Sequence, residues 1–214
     1  MTVHTDRLGL YNKALRHLGE RKLASLTDDS EARYYLDDEY DEALLFCLRQ
    51  AFWNFAIRAA SIDASTDITP SFGYRYAFEK PADWVKTLLV SSDQYFNLPL
   101  TDYQDQHGYW LSNLTPMYLR YISGTLGVDP VMFPPDYAEY VGVYLGSLIL
   151  PRITQKSAPE VEAMEKKVDR FRKVAQANDA IDQPPGHRPL GSWVTSRSRR
   201  GGQLDYPSGG SLIP

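Results

Sequence analysis

The sequence predicts a mainly α protein: a helical bundle of about four helices with a small β-rich insertion and an extended C-terminal tail. Three observations predict it. Four stretches carry apolar residues at steps of three and four, the period of one helix face. Between about residues 61 and 127 that period gives way to short alternating runs closed by Pro and Gly. From residue 181 to 214, five Pro and six Gly fall among 34 residues with no period, the composition of a linker or tail. The expected organisation is therefore a helical domain over 1–180, with the insertion at about 61–127, and a separate tail over 181–214.

The elements follow in order. Leu8, Tyr11, Leu15 and Leu18 share one face, so a helix is predicted from about Asp6 to Leu18, with Gly19 as its stop. A longer helix begins near Ser30, where Asp28, Asp29 and Glu31 suit the positive end of the helix dipole. Its inward stripe is Leu36, Tyr40, Ala43, Leu44, Cys47, Leu48 and Ala51, and "AFWNFAIRAA" is expected to continue it as helix, with Phe52, Trp53 and Phe55 in the core. In the insertion "YRYAFEKP" reads as a strand and "VKTLLV" as an apolar run of undecided type. "YWLSN" and "MYLRYIS" read as the two strands of a hairpin about Thr115-Pro116, and "SGTLG" as a turn. Pro134 and Pro135 announce a third helix with the stripe Tyr137, Tyr140, Val141, Tyr144, Leu145, Leu148 and Ile149, which Pro151 ends or kinks. Its Ala138, Gly142 and Gly146 recur every four residues on another face. They mark either a close approach by a neighbouring helix or simple tolerance of Gly. Ser157-x-x-Glu160 with Pro159 is a capping box that opens the fourth helix, with Val161, Met164, Val168, Phe171 and Ala175 inward. The cations Lys166, Lys167, Arg170, Arg172 and Lys173 decorate that helix and are candidates to pair with the acidic run described next.

Charge is unevenly placed. The formal net charge is −4, yet residues 181–214 hold four arginines against two aspartates, so the rest carries −6. Residues 28–42 hold eight acids and one base, the pattern of a solvated helix face. That balance argues against non-specific nucleic-acid binding by the whole chain. Residues 1–15 lack the basic and apolar regions of a signal peptide, and the longest apolar run, Tyr140–Leu150, is too short to span a membrane. The expected site of synthesis is the cytosol, with no membrane association.

The motifs of common enzymes are missing. There is no Gly-x-Ser-x-Gly elbow and no phosphate loop ending in Gly-Lys-Ser/Thr. His4, His17, His107 and His187 have no second ligand at helical spacing. Asp37, Asp38 and Asp41 lack the Gly turn that shapes a calcium loop. Cys47, the single cysteine, falls on the inward stripe. The expectation is a protein without catalytic activity, cofactor or metal.

Read in order, several segments resemble one family, the head-to-tail adaptors of tailed bacteriophages known as tail tubular protein A in short-tailed phages. The first is "YNKALRHLGERKLASLTDDSEA", with Leu18-Gly19-Glu20 followed by Ser25-Leu26 and an acidic turn. Next come "FWNFAIRA", "YRYAFEKPADW" and "FPPDYAEYVGVYLGSLIL", and last "ANDAIDQPPG" with "GSWV". The resemblance covers nearly the whole chain. It departs from the family in Gly142 and Gly146, where alanines are expected, and in a longer extension after Trp193. The resemblance implies a helical bundle with a β-rich elaboration. It also implies a dodecameric ring beneath the portal that joins the head to the tail or nozzle, leaves an axial channel for DNA, and resides in the virion. Genomic DNA would touch it only in transit, and Asp37, Asp38 and Asp41 are the candidate channel-facing acids.

The tail holds too few apolar side chains to offset the entropy of ordering itself, so a partner is expected to order it. Trp193 is the expected anchor, the alternative being that it packs against the helices of its own subunit. Arg188, Arg197, Arg199 and Arg200 would pair with acids on the portal or a neighbouring subunit, as aromatic and Arg anchors do. The alternative expectation is a nucleic-acid-binding packaging accessory protein that uses the same arginines on phosphates.

Overall fold

A computed structural model describes residues 5–106, 108–153 and 158–182. The chain divides into two units, Met1–Asp182 and Gln183–Pro214. The described residues belong to the first.

The first unit is mixed α/β, which corrects the expectation of a mainly α bundle. Among the described residues, five helices are joined by two three-stranded antiparallel sheets. The elements are α1 (Arg7–Leu18), α2 (Glu31–Arg49), β1 (Ile57–Ile62), β2 (Tyr76–Glu79), β3 (Trp84–Ser91), β4 (Tyr103–Gln106), β5 (Tyr109–Ser112), β6 (Met117–Ser123), α3 (Gly124–Gly127), α4 (Pro135–Ile153) and α5 (Ala158–Ile181). Short 3-10 turns at Asn54–Ala56 and Pro130–Met132 complete the path.

Six members of the predicted α2 stripe, Leu36, Tyr40, Ala43, Leu44, Cys47 and Leu48, are buried, while Ala51 lies beyond the helix end and is half-buried. The helix does not run on through "AFWNFAIRAA". It stops at Arg49, and the chain enters β1 at Ile57. Two side-chain bonds make the stop. The Trp53 indole N–H donates to the Cys47 carbonyl at 3.1 Å, an oxygen that also accepts from the Gln50 N–H at the helix end. The Asn54 backbone N–H donates to Asp179 of α5 at 2.9 Å, which ties the exit of α2 to a residue 125 positions away.

The sheets have orders β1-β6-β3 and β2-β5-β4. The expected hairpin of "YWLSN" and "MYLRYIS" does not form, because β5 and β6 lie in different sheets. Their inward side chains explain the split. Trp110 of β5 packs edge-on to Trp84 at 6.1 Å, and with Phe78 it faces Val90, Met117, Leu119 and Tyr121 across the interlayer core. One sheet therefore buries its apolar face on the other. "VKTLLV" resolves as β3, and "SGTLG" is a one-turn helix whose Leu126 N–H is capped by Ser123.

The larger core joins α1, α2, α4 and α5. Among the helices, α4 is the hub, packed on by the other three. Gly142 and Gly146 decide how close α1 comes. A Cβ on Gly142 would lie 2.7 Å from Lys13 Cβ, and one on Gly146 would lie 3.2 Å from the Ala14 carbonyl oxygen. Close approach, not tolerance, accounts for both glycines. Pro151 sits in the last turn of α4, which ends at Ile153. Ser157 lies outside the described residues. On α5, Met164 and Ala175 are buried, and Val161, Val168 and Phe171 pack half-buried beside them.

Candidate functional site

The groups that could carry chemistry are mostly committed to packing. Cys47 is fully buried, and burial pushes its thiol up to about 12, so it stays protonated and unreactive at neutral pH. Among the described residues, no group of three or more His, Cys, Asp or Glu side chains is placed to hold a metal ion, and no helix is long and apolar enough to cross a membrane. A cleft of about 300 Å³ between α4 and α5 is lined by Tyr144, Leu148, Val161, Met164 and Val168, with Ser147 and Glu165 as polar groups. It lacks the convergent polar set of a small-molecule site.

Two charged surfaces remain. The first is on α2. Asp37 points into the body, where it accepts from Arg7 at 2.8 Å, from the Tyr11 hydroxyl at 2.6 Å and from Arg33 at 2.5 Å. Partial burial works against its charge, but the Tyr11 bond and the two guanidinium groups outweigh it and hold the carboxyl below its ordinary value. Asp37 is thus a joint between α1 and α2. Asp38, Asp41 and Glu42 are exposed, and none forms an ion pair among the described residues. Glu39 pairs with Arg152 of α4 at 2.9 Å. Among the described residues, the α5 cations form no ion pair with this run. Lys166 pairs with Glu162, and both Arg172 and Lys173 pair with Asp169, all on their own helix.

The second surface lies where α1 meets α5, and the sequence reading missed it. Glu139 of α4 accepts from Lys13 at 2.5 Å, from Arg16 through both carboxylate oxygens at 2.8 and 2.7 Å, and lies 3.2 Å from the His17 ring. Partial burial opposes its ionisation, yet the bonds from the Lys13 and Arg16 cations, with the His17 hydrogen bond, prevail and hold its carboxyl at about 2. Burial first, and then the nearby Lys167 ammonium, push the His17 ring below its ordinary value, so it is neutral at pH 7. One signal for this cluster was present: Lys13, Arg16 and His17 follow at steps of three and four on α1. Their meeting with Glu139 and Lys167, more than a hundred residues away, had none.

Of the sequence-predicted site residues, the structure places Asp38 and Asp41 on one exposed face and turns Asp37 away from it. Arg188, Trp193, Arg197, Arg199 and Arg200 lie outside the described residues, as do His4, His107 and His187. The described residues form a mixed α/β body with two charged surfaces. The chain matches no protein-family model and no curated protein.

Proposed function

We propose that the chain is a structural head-to-tail adaptor of a tailed-phage virion, a ring component that joins the portal to the tail or nozzle and leaves a channel for DNA. It acts by binding, and no reaction is assigned to it. The observation that carries the reading is the ordered run of segments resembling the adaptor family. What supports it is that those segments fall at the joints of the scaffold. Gly19 caps α1 with φ 78°, and Asp28 closes the next turn by accepting from the Ala24 and Ser25 N–H groups. Trp53 terminates α2, and Asp83 accepts from the Tyr121 and Ser123 hydroxyls to tie the start of β3 to β6. Side chains committed to such joints suit a scaffold, and an acidic body suits a channel through which DNA passes without sticking. The partners are then the portal, the tail or nozzle protein and further copies of the chain, in a virion assembled in the host cytoplasm.

The tail is the proposed attachment arm, with Trp193 seated in a pocket and the arginines paired around it; repetition around a ring multiplies a modest contact. The test is to mix the full chain, and a chain truncated at Gly191, with portal rings of the same phage and to view them by electron microscopy. The full chain is expected to decorate the portal. The truncated chain is expected to keep its circular dichroism and melting behaviour but to leave the portal bare. Docking of the truncated chain at wild-type strength overturns the arm. Salt-dependent DNA binding by the full chain without portal binding overturns the adaptor and favours the packaging accessory.

A further inference from the structure

Residues 63–75, between β1 and β2, arch over the outer face of the β2-β5-β4 sheet, and the arch is pinned at both ends. The Ser65 backbone N–H donates to the Ala77 carbonyl at 2.7 Å, and the Arg75 N–H donates to the Asn113 side chain at 3.1 Å. The strand register sets what lies beneath. Ala77, Leu111 and Gln104 stand abreast on the three strands, and so do Glu79, Tyr109 and Gln106. Phe78 and Trp110 alternate with them and face the interlayer core, so these two rows point the other way. Ala77 and Leu111 are buried all the same, because the arch covers them.

Beside them the arch leaves a cleft of about 480 Å³, within the size range of small-molecule sites. The sheet lends it Gln104, Gln106 and Tyr109, and the arch lends it Thr69, Ser71 and Phe72. Among the described residues no carboxylate, ammonium or guanidinium group lines it, in a chain that is 23% charged. The two carboxamides, the two hydroxyls and the Tyr109 phenol form no side-chain hydrogen bond among the described residues. The Phe72 ring stands 88% exposed at the rim.

That lining selects a ligand class. An anion calls for cations or a helix N-terminus, and a divalent cation for carboxylates or imidazoles. A wholly apolar molecule would bury the amides and hydroxyls unpaired. A neutral molecule with many hydroxyls on its edge and an apolar C–H face satisfies both sides. Each of its hydroxyls donates and accepts, and each carboxamide offers both functions in return. Its C–H face suits the negative face of an aromatic ring.

We propose that this cleft binds a neutral saccharide. Gln104 and Gln106 read its hydroxyls, with Thr69, Ser71 and Tyr109 as further partners, and Phe72 lies against a sugar ring. The site uses neither the tail arginines nor the charged joints of the helices, so it adds to the adaptor reading without depending on it.

The experiment titrates the full chain with maltotriose, cellotriose and chitotriose, read by saturation-transfer NMR and calorimetry. At least one is expected to bind with Kd of about 1 mM or tighter. Phe72→Ala and Gln104→Ala/Gln106→Ala change exposed side chains and are expected to keep wild-type circular dichroism. Each is expected to weaken binding by at least about tenfold, as loss of an anchor commonly does. Phe72→Trp keeps an aromatic face and is expected to retain binding. Inorganic phosphate is expected not to compete. Retention of the chain on dextran beads, lost in Phe72→Ala, assigns the site to a polymer; oligosaccharide binding without retention assigns it to a free sugar. Absence of binding to all three oligosaccharides at about 10 mM overturns the proposal. So does affinity unchanged by both variants, or displacement of the sugar by phosphate.

Discussion

Tyr137 carries its hydroxyl into the most aromatic part of the core, with ring centroids 4.7 Å from Trp53, 4.8 Å from Phe55 and 4.9 Å from Phe133, and that hydroxyl has no hydrogen-bond partner among the described residues. Burial pushes its phenol well above the ordinary value, so it stays neutral and simply forfeits hydration. Tyr137→Phe keeps the ring contacts and removes the stranded oxygen. It is expected to raise stability by about 1 kcal/mol, read from urea unfolding; a loss of stability would show that the hydroxyl is satisfied in solution. The apolar character of Tyr137 was legible from its place in the helix stripe. The missing partner was not, because it depends on what three other segments bring to the site.

At the scale of elements, α4 has its character from two small residues. Gly142→Ala gains about 1 kcal/mol of helix propensity. The new Cβ would stand 2.7 Å from Lys13 Cβ, an atom fixed to the α1 backbone. Overpacking of that kind costs about 1–3 kcal/mol, so the net expectation is a destabilisation of about 1 kcal/mol. At Gly146 the first contact is Met164 Cε at 3.1 Å, a flexible end, though the Ala14 carbonyl is nearly as near. Gly146→Ala is therefore expected to be milder, and the order of the two urea midpoints checks the argument. The end of α2 shows the converse limit of local reading. The pattern of "AFWNFAIRAA" permits helix, but the bonds from Trp53 to Cys47 and from Asn54 to Asp179 stop it, and the second of these is long-range.

For the whole molecule, acid stability should report the charged joints. The carboxyls of Glu139 and Asp37 are both held below their ordinary values in the folded state, so unfolding at low pH takes up protons there. Their stabilisation is present above the usual carboxylate range and is lost as pH falls from about 4.5 toward about 2. His17 acts in the same direction from higher pH. Its ring is held below the ordinary value in the fold, so the unfolded chain gains a proton first as pH falls below about 6.5. Urea midpoints measured across this range are expected to fall with pH. Glu139→Gln is expected to lower the midpoint at neutral pH and to flatten the decline below about 4.5. A decline of unchanged slope would place the acid sensitivity elsewhere.

By itself the sequence determined the helices and their buried faces, because a stripe at 3.6-residue period is written locally and its burial follows from the hydrophobic effect. The αL cap at Gly19, the buried Cys47 and the exposed positions of Asp38 and Asp41 belong to the same local logic. Only the tertiary structure decided the weight of the β component, since strand pairing is a relation between distant segments and six short runs name no partners. It also separated β5 from β6, turned Asp37 inward and gathered Lys13, Arg16 and His17 about Glu139. Each of those outcomes depends on where a second element lies, which no local pattern contains.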